Sequence, residues 1–155
     1  MRVVIGSDHA GYRLKEVLKA HIKASGYQLS VSDVGTDSEE PVDYPDFARG
    51  VGEQISSGLA DKGVLICGSG VGASIAANKI PGVRAAITHD LYSAAQGVEH
   101  DDMNVIVLGA RVIDDVMALQ LVECFLAATF NGEIRHKRRL GKVLEIEAHY
   151  SRHTR

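Results

Sequence analysis

Short apolar runs alternate along this chain with longer segments in which apolar residues recur at helical spacing. The short runs are typical of parallel strands buried on both faces, and the longer segments are typical of amphipathic helices. The predicted strands are residues 2–6, 27–34, 64–66, 83–87 and 105–108. The predicted helices are residues 11–25, 46–57, 73–79, 90–98, 114–130 and 143–150.

This alternation predicts an α/β fold, because each parallel connection needs about a dozen residues and is usually a helix. We expect a three-layer, Rossmann-like domain with a five-stranded parallel sheet flanked by helices. No repeat, low-complexity tract or linker divides the sequence, so residues 1–155 are expected to form a single domain. Ligands of such sheets bind outside the carboxyl ends of the strands, which makes the loops after the strands informative.

A glycine-rich turn follows the central predicted strand and opens the next helix. Gly68, Gly70 and Gly72 stand at alternate positions, and Cys67 directly precedes them. The N–H groups of such a turn, together with the positive end of a helix dipole, attract anions. Backbone donors beside a thiol favour the thiolate, which acts as a base or a nucleophile. The sequence therefore predicts an anion-binding turn with a reactive cysteine at its edge.

Three other glycine-rich sites fit this stretch less well. Gly68, Gly70 and Ala73 match the spacing of a dinucleotide fingerprint, and Asp90 lies about twenty residues further on. That fingerprint normally belongs to the first strand–helix turn of a larger protein, and this chain leaves no room for a substrate domain. A phosphate loop would need Gly-Lys-Ser or Gly-Lys-Thr. A cysteine phosphatase would need arginine where Ala73 stands.

The predicted helix 114–130 is apolar around nearly its whole circumference. Such a helix must be buried on all sides. In a chain of 155 residues, part of that burial is expected against a second subunit, most simply across a two-fold axis. The alternative is a central core helix of a monomer.

Two sets of polar residues could have either a functional or a purely structural role. Arg135 and Arg139 lie four positions apart, where two guanidinium groups on one side of a helix can clamp a phosphate. The alternative is a solvated charged face. The acidic neighbours of His100 favour its imidazolium form and suit a general acid. The alternative for His100, and equally for His9, is a structural histidine.

Composition narrows the class of protein further. The formal net charge is −3, and charged residues make up 24% of the chain, so a general nucleic-acid-binding surface is not expected. Two cysteines form no disulfide framework, and Met1 leads directly into a predicted strand without a signal peptide or a long apolar span. We expect a cytoplasmic protein that binds neither nucleic acid nor membrane.

Seven stretches together resemble a known family. They are GSDHAG at 6–11, DYP at 43–45, ICGSGVG at 66–72, IAANK at 75–79, HDDMN at 100–104, GAR at 109–111 and RHKRR at 135–139. In this order they resemble the type B ribose-5-phosphate isomerases, within a wider sugar-phosphate isomerase family that includes the galactose-6-phosphate isomerase subunits. Each stretch is a weak signal by itself, but the seven in this order are a strong one, and they are spread from residue 6 to residue 139.

The resemblance implies aldose–ketose isomerisation of a phosphorylated sugar through a cis-enediolate, with no metal and no organic cofactor. By position, Cys67 looks like the base that moves a proton between C1 and C2. Ser69 supplies a hydroxyl that assists proton movement between the two oxygens. The enediolate would be stabilised by the backbone N–H groups of the turn, namely Gly68, Gly70, Val71 and Gly72.

The remaining roles also follow from the resemblance. His100, with Asp8 nearby, looks like the acid/base pair that opens the sugar ring. The pocket-lining residues are Tyr44 and Asn104, and the phosphate ligands are His9, Arg111, Arg135 and Arg139. The family builds its site between two subunits, so a homodimer or a dimer of dimers is expected. The C-terminal helix is expected to pack on the partner.

Two departures bear on the activity. One branch of the family uses a glutamate as the base at the position of Ala73, so Cys67 indicates the cysteine branch. Asp101 stands where asparagine often follows the histidine, which changes hydrogen bonding to the sugar. Ribose 5-phosphate is the expected substrate. A tetrose or hexose phosphate, or a non-catalytic phosphosugar-binding module, is the alternative.

Overall fold

The computed structural model describes residues 1–24 and 28–151 and contains one five-stranded sheet. All its strands are parallel, in the order β2-β1-β3-β5-β4. They are β1 (Arg2–Ser7), β2 (Ser30–Asp33), β3 (Lys62–Cys67), β4 (Ala85–Ile87) and β5 (Val105–Gly109). In the register of β3 and β5, Gly63 lies opposite Val105 and Cys67 lies opposite Gly109. The predicted five-stranded parallel sheet is therefore confirmed.

Helices cover both faces of this sheet, which confirms the three layers. They are α1 (Tyr12–Ala24), α2 (Tyr44–Ser56), α3 (Val71–Ala77), α4 (Leu91–Asp101), α5 (Asp115–Ala127) and α6 (Ile134–Ser151). Helices α1, α4 and α5 pack on one face, and α2 and α3 pack on the other. Alternate residues of each central strand face opposite clusters, since side chains alternate along a strand. Leu65 and Cys67 consequently face the layer of α2 and α3.

Several helices and strands begin or end at residues other than those predicted, and local sequence features explain the differences. Strand β2 is shorter than predicted because it is an edge strand whose four residues are all exposed. The predicted stop of the first helix at Gly26 lies outside the described residues. Helix α2 begins at Tyr44 rather than at residue 46, since Pro45 is tolerated in a first turn that has no intrahelical N–H bonds. The predicted helix 143–150 is the second half of α6.

Helix α5 obtains most of its burial from its own chain. Leu121, Val122 and Phe125 are almost fully buried in the core between the sheet and α1 and α4. This matches the alternative of a central core helix, so α5 itself does not carry the argument for a second subunit. Apart from Val116, the large apolar side chains that are exposed among the described residues lie outside α5, and five of them are on α6. Within the described ranges, no helix is long and apolar enough to cross a membrane.

Candidate active site

Loops from three neighbouring strands meet at the carboxyl edge of the sheet. The N–H of Asp8, after β1, donates to the carbonyl of Ile66 at 3.3 Å. The N–H of Ala110, after β5, donates to the carbonyl of Cys67 at 2.8 Å, and that of Arg111 donates to Gly68 at 2.9 Å. Backbone hydrogen bonds thus join the three predicted loops into one surface.

Cys67 ends β3 at the centre of this surface, and its side chain is buried, with 5% of the residue exposed. The N–H of Gly70 donates to its Sγ at 3.1 Å. Gly70 has φ of 85°, a left-handed conformation that favours glycine, and α3 starts at the next residue. The backbone donor beside the sulfur is the arrangement that the sequence predicted, and the reactivity of Cys67 stays a prediction. Ser69 is exposed beside it, and its Oγ accepts from the N–H of Val71 at 3.2 Å.

Tyr44 lies against the same turn. It is the first residue of α2, and a Cβ atom on Gly72 would lie 2.6 Å from its Cζ. The tyrosine ring therefore rests directly on the backbone of the turn, and glycine at position 72 is what allows this approach. The structure thus places Tyr44 beside the glycine turn, and its contact with a substrate stays a prediction.

Asp8 and His9 follow β1 and lie on that side of the candidate site. Asp8 is 7% exposed, and its Oδ1 accepts from the N–H of Gly11 at 3.1 Å. The N–H of Val42 donates to Nδ1 of His9 at 3.1 Å, so neutral His9 carries its proton on Nε2. This bond also ties down the loop that leads to Tyr44.

A buried lysine that the sequence patterns did not single out anchors the start of that loop. Lys15 is 2% exposed, and its Nζ lies 2.8 Å from Oδ2 of Asp33 and 2.7 Å from the carbonyl of Thr36. Burial acts to raise the pKa of Asp33, but the ammonium groups of Lys15 and Lys19 outweigh it, and the pKa is lowered. The N–H of Thr36 donates to the carbonyl of Ser7, beside Asp8. Lys15 therefore supports the start of the loop that leads to Tyr44, at the point where this loop contacts the residue before Asp8.

Arg111 brings positive charge to the turn. Its Nη1 lies 3.2 Å from the position that a Cβ atom on Gly68 would occupy. One chain therefore gathers the thiol, the turn and an arginine at one edge of the sheet. The predicted site residues found there are Asp8, His9, Tyr44, Cys67, Gly68, Ser69, Gly70, Val71, Gly72 and Arg111.

The other predicted site residues lie at the opposite, amino edge. His100 and Asp101 end α4, and the carbonyl of Asn104 accepts from the N–H of Gly63 at the start of β3. The five paired residues of β3 from Gly63 to Cys67 span about 13 Å, at about 3.3 Å per residue. His100 and Asp8 are thus far apart within one chain, so the proximity expected for them requires the second subunit that the sequence analysis also predicted.

His100 is held by two neighbours at this edge. Its Nδ1 lies 2.8 Å from Nε2 of Gln96, one turn earlier on α4. Its ring stacks on that of His136, with 4.0 Å between centroids and 24° between planes. His136 is 1% exposed, and its Nδ1 lies 2.8 Å from Oδ1 of Asn131. Burial above all, and then His100, lowers the pKa of His136.

His136 had no predicted role, although a signal for its burial was present. His136, Leu140, Val143 and Leu144 share the helical spacing of one face. A histidine on that face, inside an otherwise basic stretch, is a candidate for contact with a neighbouring helix. Only the structure shows that this neighbour is His100.

The two predicted phosphate arginines both lie on α6, one helical turn apart. Both are exposed, and Nε of Arg135 lies 2.9 Å from Oε2 of Glu133. The first turns of α6 therefore carry both arginines, and their joint contact with a phosphate stays a prediction.

Asn104 has a structural role that the sequence did not indicate. Its Oδ1 accepts from the N–H of Arg84 at 2.8 Å, and its Nδ2 donates to the carbonyl of Gly82 at 2.8 Å. Both ends of the amide hold the loop before β4. Asp101 is exposed, and its contact with the sugar stays a prediction. No group of three His, Cys, Asp or Glu side chains within the described residues is arranged to hold a metal ion.

Comparison with known proteins identifies relatives along nearly the whole chain. The ribose-5-phosphate isomerase B of Clostridium thermocellum is 48% identical, with a TM-score of 0.92 over 97% of this chain and 99% of that chain. The enzyme of the same name from Mycoplasma genitalium, solved with bound ribulose-5-phosphate, is 39% identical, with a TM-score of 0.88 over 95% and 96%. The D-erythrulose-4-phosphate isomerase 2 of Mycolicibacterium smegmatis is 34% identical over 148 residues, which cover 95% of this chain and 97% of that protein.

The family model described as Ribose/Galactose Isomerase matches residues 3–143. This range includes all seven stretches on which the resemblance was based, and it confirms that resemblance. On sequence, fold and extent of match together, the chain belongs to the Ribose/Galactose Isomerase family.

Proposed function

We propose that this protein interconverts ribose 5-phosphate and ribulose 5-phosphate. The observation that carries the proposal is the buried Cys67 sulfur with the N–H of Gly70 donating to it, inside a turn of further backbone donors. The relatives named ribose-5-phosphate isomerase B support the choice of substrate.

The proton transfer between carbons is assigned to Cys67. Its thiolate takes the proton from C2 of the open-chain aldose, and the electrons of that C–H bond form the C1–C2 double bond of the enediolate. The thiol then returns the proton to C1, while the hydroxyl of Ser69 moves a proton between O1 and O2. N–H groups of the turn stabilise the negative charge on oxygen. No metal enters these steps.

Ring opening is assigned to His100 and Asp8. The C1–O4 bond of the cyclic aldose breaks, O4 gains a proton from one member of the pair, and O1 gives its proton to the other. Because these residues lie at opposite edges of one sheet, we propose that a second copy of the chain brings its His100 to the turn.

A shared site also explains the distribution of the phosphate ligands. His9 and Arg111 would come from one chain, and Arg135 and Arg139 from its partner. Exposed apolar side chains flank both parts, as expected of surfaces that become buried in an assembly. On α3 and at the start of α4 these are Val71, Ile75, Leu91 and Tyr92, and on α6 they are Val143, Leu144, Ile146 and Tyr150. We propose a homodimer, or a dimer of dimers, as the active form.

A tetrose phosphate is the second candidate substrate. The relative named D-erythrulose-4-phosphate isomerase 2 shows that this family includes a protein named for a four-carbon sugar. Asp101, at the position where asparagine often follows the histidine in this family, is the residue of this chain that bears on the choice.

Conversion of ribose 5-phosphate, erythrose 4-phosphate and allose 6-phosphate by the purified protein, with EDTA present, tests the proposal. We expect fast turnover of the pentose that survives the chelator. Faster turnover of another sugar would overturn the substrate assignment. No turnover of any of the three, with binding intact, would favour a binding module.

The role of Cys67 is tested by Cys67→Ala, with Cys124→Ala on α5 as the matched control. Loss of a catalytic base typically costs about 10²–10⁴-fold in rate. We expect a loss of that size in Cys67→Ala, with binding of the sugar phosphate retained, and near-normal turnover in Cys124→Ala. Equal turnover in the two variants would exclude Cys67 as the base.

A further inference from the structure

The most unusual side chain outside the predicted machinery is the buried imidazole of His136. Among the residues of α6, it alone falls in the buried class. An apolar residue would fill such a position at lower cost, because a buried polar ring requires hydrogen-bond partners. The ring of His136 instead contacts His100, the residue assigned to ring opening.

Two amide side chains determine where the protons of this pair lie. Oδ1 of Asn131 can only accept, so Nδ1 of His136 carries the proton that it receives. Nε2 of Gln96 can only donate, so Nδ1 of His100 accepts. Neutral His100 therefore carries its proton on Nε2, the nitrogen remote from Gln96. The pair is fixed in both orientation and tautomer.

Asn131 is itself held against α4. Its N–H donates to the carbonyl of Glu99 at 3.0 Å, next to His100. The same segment is anchored at its start, where Nζ of Lys62 donates to the carbonyl of Ala128 at 2.7 Å. The segment from Ala128 to Asn131 is therefore held at both ends, which fixes the position of the Asn131 side chain beside His136.

We propose that His136, oriented by Asn131, is a positioning residue that holds the His100 imidazole for opening of the sugar ring. The inference rests on the proposed function of this site. His136 itself touches no reacting atom.

The surroundings of His136 suit a ring that stays neutral. Burial, then His100 and then the guanidinium group of Arg135 lower the pKa of His136, and they outweigh the opposite effect of Glu133. A neutral imidazole can stack on His100 in either protonation state of His100, whereas a second cation would repel the protonated form. The stack therefore supports His100 through an acid/base cycle.

Two reactions of the same enzyme separate this role from general damage. Ribose 5-phosphate is largely cyclic and must be opened before isomerisation. Ribulose 5-phosphate is acyclic because its O5 carries the phosphate. Exchange of its C1 proton with D2O needs the Cys67 thiolate to break and remake that C–H bond, but it needs no ring opening.

The test compares these two rates in His136→Ala, His136→Phe and the control His21→Ala. His21 is a half-buried histidine that pairs with Glu123 at 2.7 Å, between α1 and α5. Misplacement of a catalytic group by about 1 Å can cost about 10²-fold, so we expect His136→Ala to lose about 10- to 100-fold in isomerisation of ribose 5-phosphate. We expect deuterium exchange to stay within about threefold of wild type.

Phenylalanine keeps a planar ring, so His136→Phe should recover most of the isomerisation rate. Unchanged isomerisation in His136→Ala, or an equal loss of exchange and isomerisation, would overturn the inference. If the alanine variant fails to fold, His136→Phe and Asn131→Ala are compared. The inference then requires a selective loss in Asn131→Ala that His136→Phe does not show. Absence of turnover in the wild type would instead refute the proposed function.

Discussion

The two edges of the sheet that hold the predicted site residues are built from different kinds of groups. The carboxyl edge around Cys67 is mainly backbone, with loops joined by N–H to carbonyl bonds and a turn that presents amide donors. The amino edge around His100 is made of side chains on α4 and α6, held by stacking and by amide contacts. A rigid backbone is suited to hold fixed hydrogen-bond donors near a developing negative charge. Long side chains are suited to proton transfer and to binding a phosphate.

The largest expected effect is the recovery of turnover when two inactive variants, one altered at each edge, assemble into the same dimer. Cys67→Ala disables only the carboxyl edge, and His100→Ala disables only the amino edge. Each alone should lose about 10²–10⁴-fold in turnover. If every site uses one edge from each of two chains, random co-assembly leaves one intact site in half of the dimers, or about a quarter of wild-type activity.

Co-expression of the two variants, followed by turnover measurement on ribose 5-phosphate, checks this expectation. The separately purified variants, mixed without subunit exchange, serve as the control. Activity no higher than that of the single variants would mean that the two edges do not combine across a subunit boundary.

The second test adds one methyl group to the backbone-built edge. A Cβ atom on Gly109 would lie 2.6 Å from the carbonyl oxygen of Ser69, so Gly109→Ala must displace the turn. Overpacking of this kind costs about 1–3 kcal/mol, and we expect a lower free energy of unfolding together with a lower kcat.

Gly50→Ala is the matched control for that variant. Gly50 lies within α2, and its Cβ position has only ordinary contacts, at 3.4 Å and beyond. Alanine there should raise the free energy of unfolding by about 0.5–1 kcal/mol and leave kcat unchanged. Urea denaturation and steady-state kinetics measure both variants. Equal behaviour of the two would show that the turn tolerates displacement.

The smallest expected effect on turnover concerns Lys62, which donates hydrogen bonds to the end of α5 and is expected to affect stability alone. Burial lowers its pKa from 10.5 to about 8. Between about pH 8 and 10.5 the unfolded chain therefore binds more protons at this group than the folded chain does. The contribution of Lys62 to the free energy of unfolding should rise with pH across that window.

Lys62→Met should remove that rise, and Lys137→Met, at an exposed position of α6, should leave it in place. Urea denaturation of both variants and the wild type at several pH values from 7 to 10.5 makes the comparison. A wild-type slope that persists in Lys62→Met would assign the effect to another group.

The sequence predicts the centre of the fold better than its margins. The apolar runs of β3 and β5 are buried on both faces, so burial and pattern agree. Strand β2 is exposed along its length, and the first half of α6 is strongly basic, so neither has an apolar pattern that marks its ends. Element boundaries at the surface depend on contacts that no local pattern records.

The candidate site shows the same contrast. The thiol and the glycine turn are consecutive in the chain and can be identified from it. The contact of His136 with His100 joins two helices distant in sequence, and spacing alone does not reveal it. One signal was nevertheless available: Asp8 follows a predicted strand whereas His100 precedes one, and in a parallel sheet that already places them at opposite edges.

The strand β3 separates Cys67 at one end from the His100 cluster near the other, and this distance has a consequence for regulation by mass action. In the proposed assembly each chain contributes one part to each of two sites. A single chain therefore forms no complete site by itself. Dilution below the dissociation constant of the dimer would then abolish activity, although every chain stays folded. Activity per milligram would rise with protein concentration until the subunits are paired.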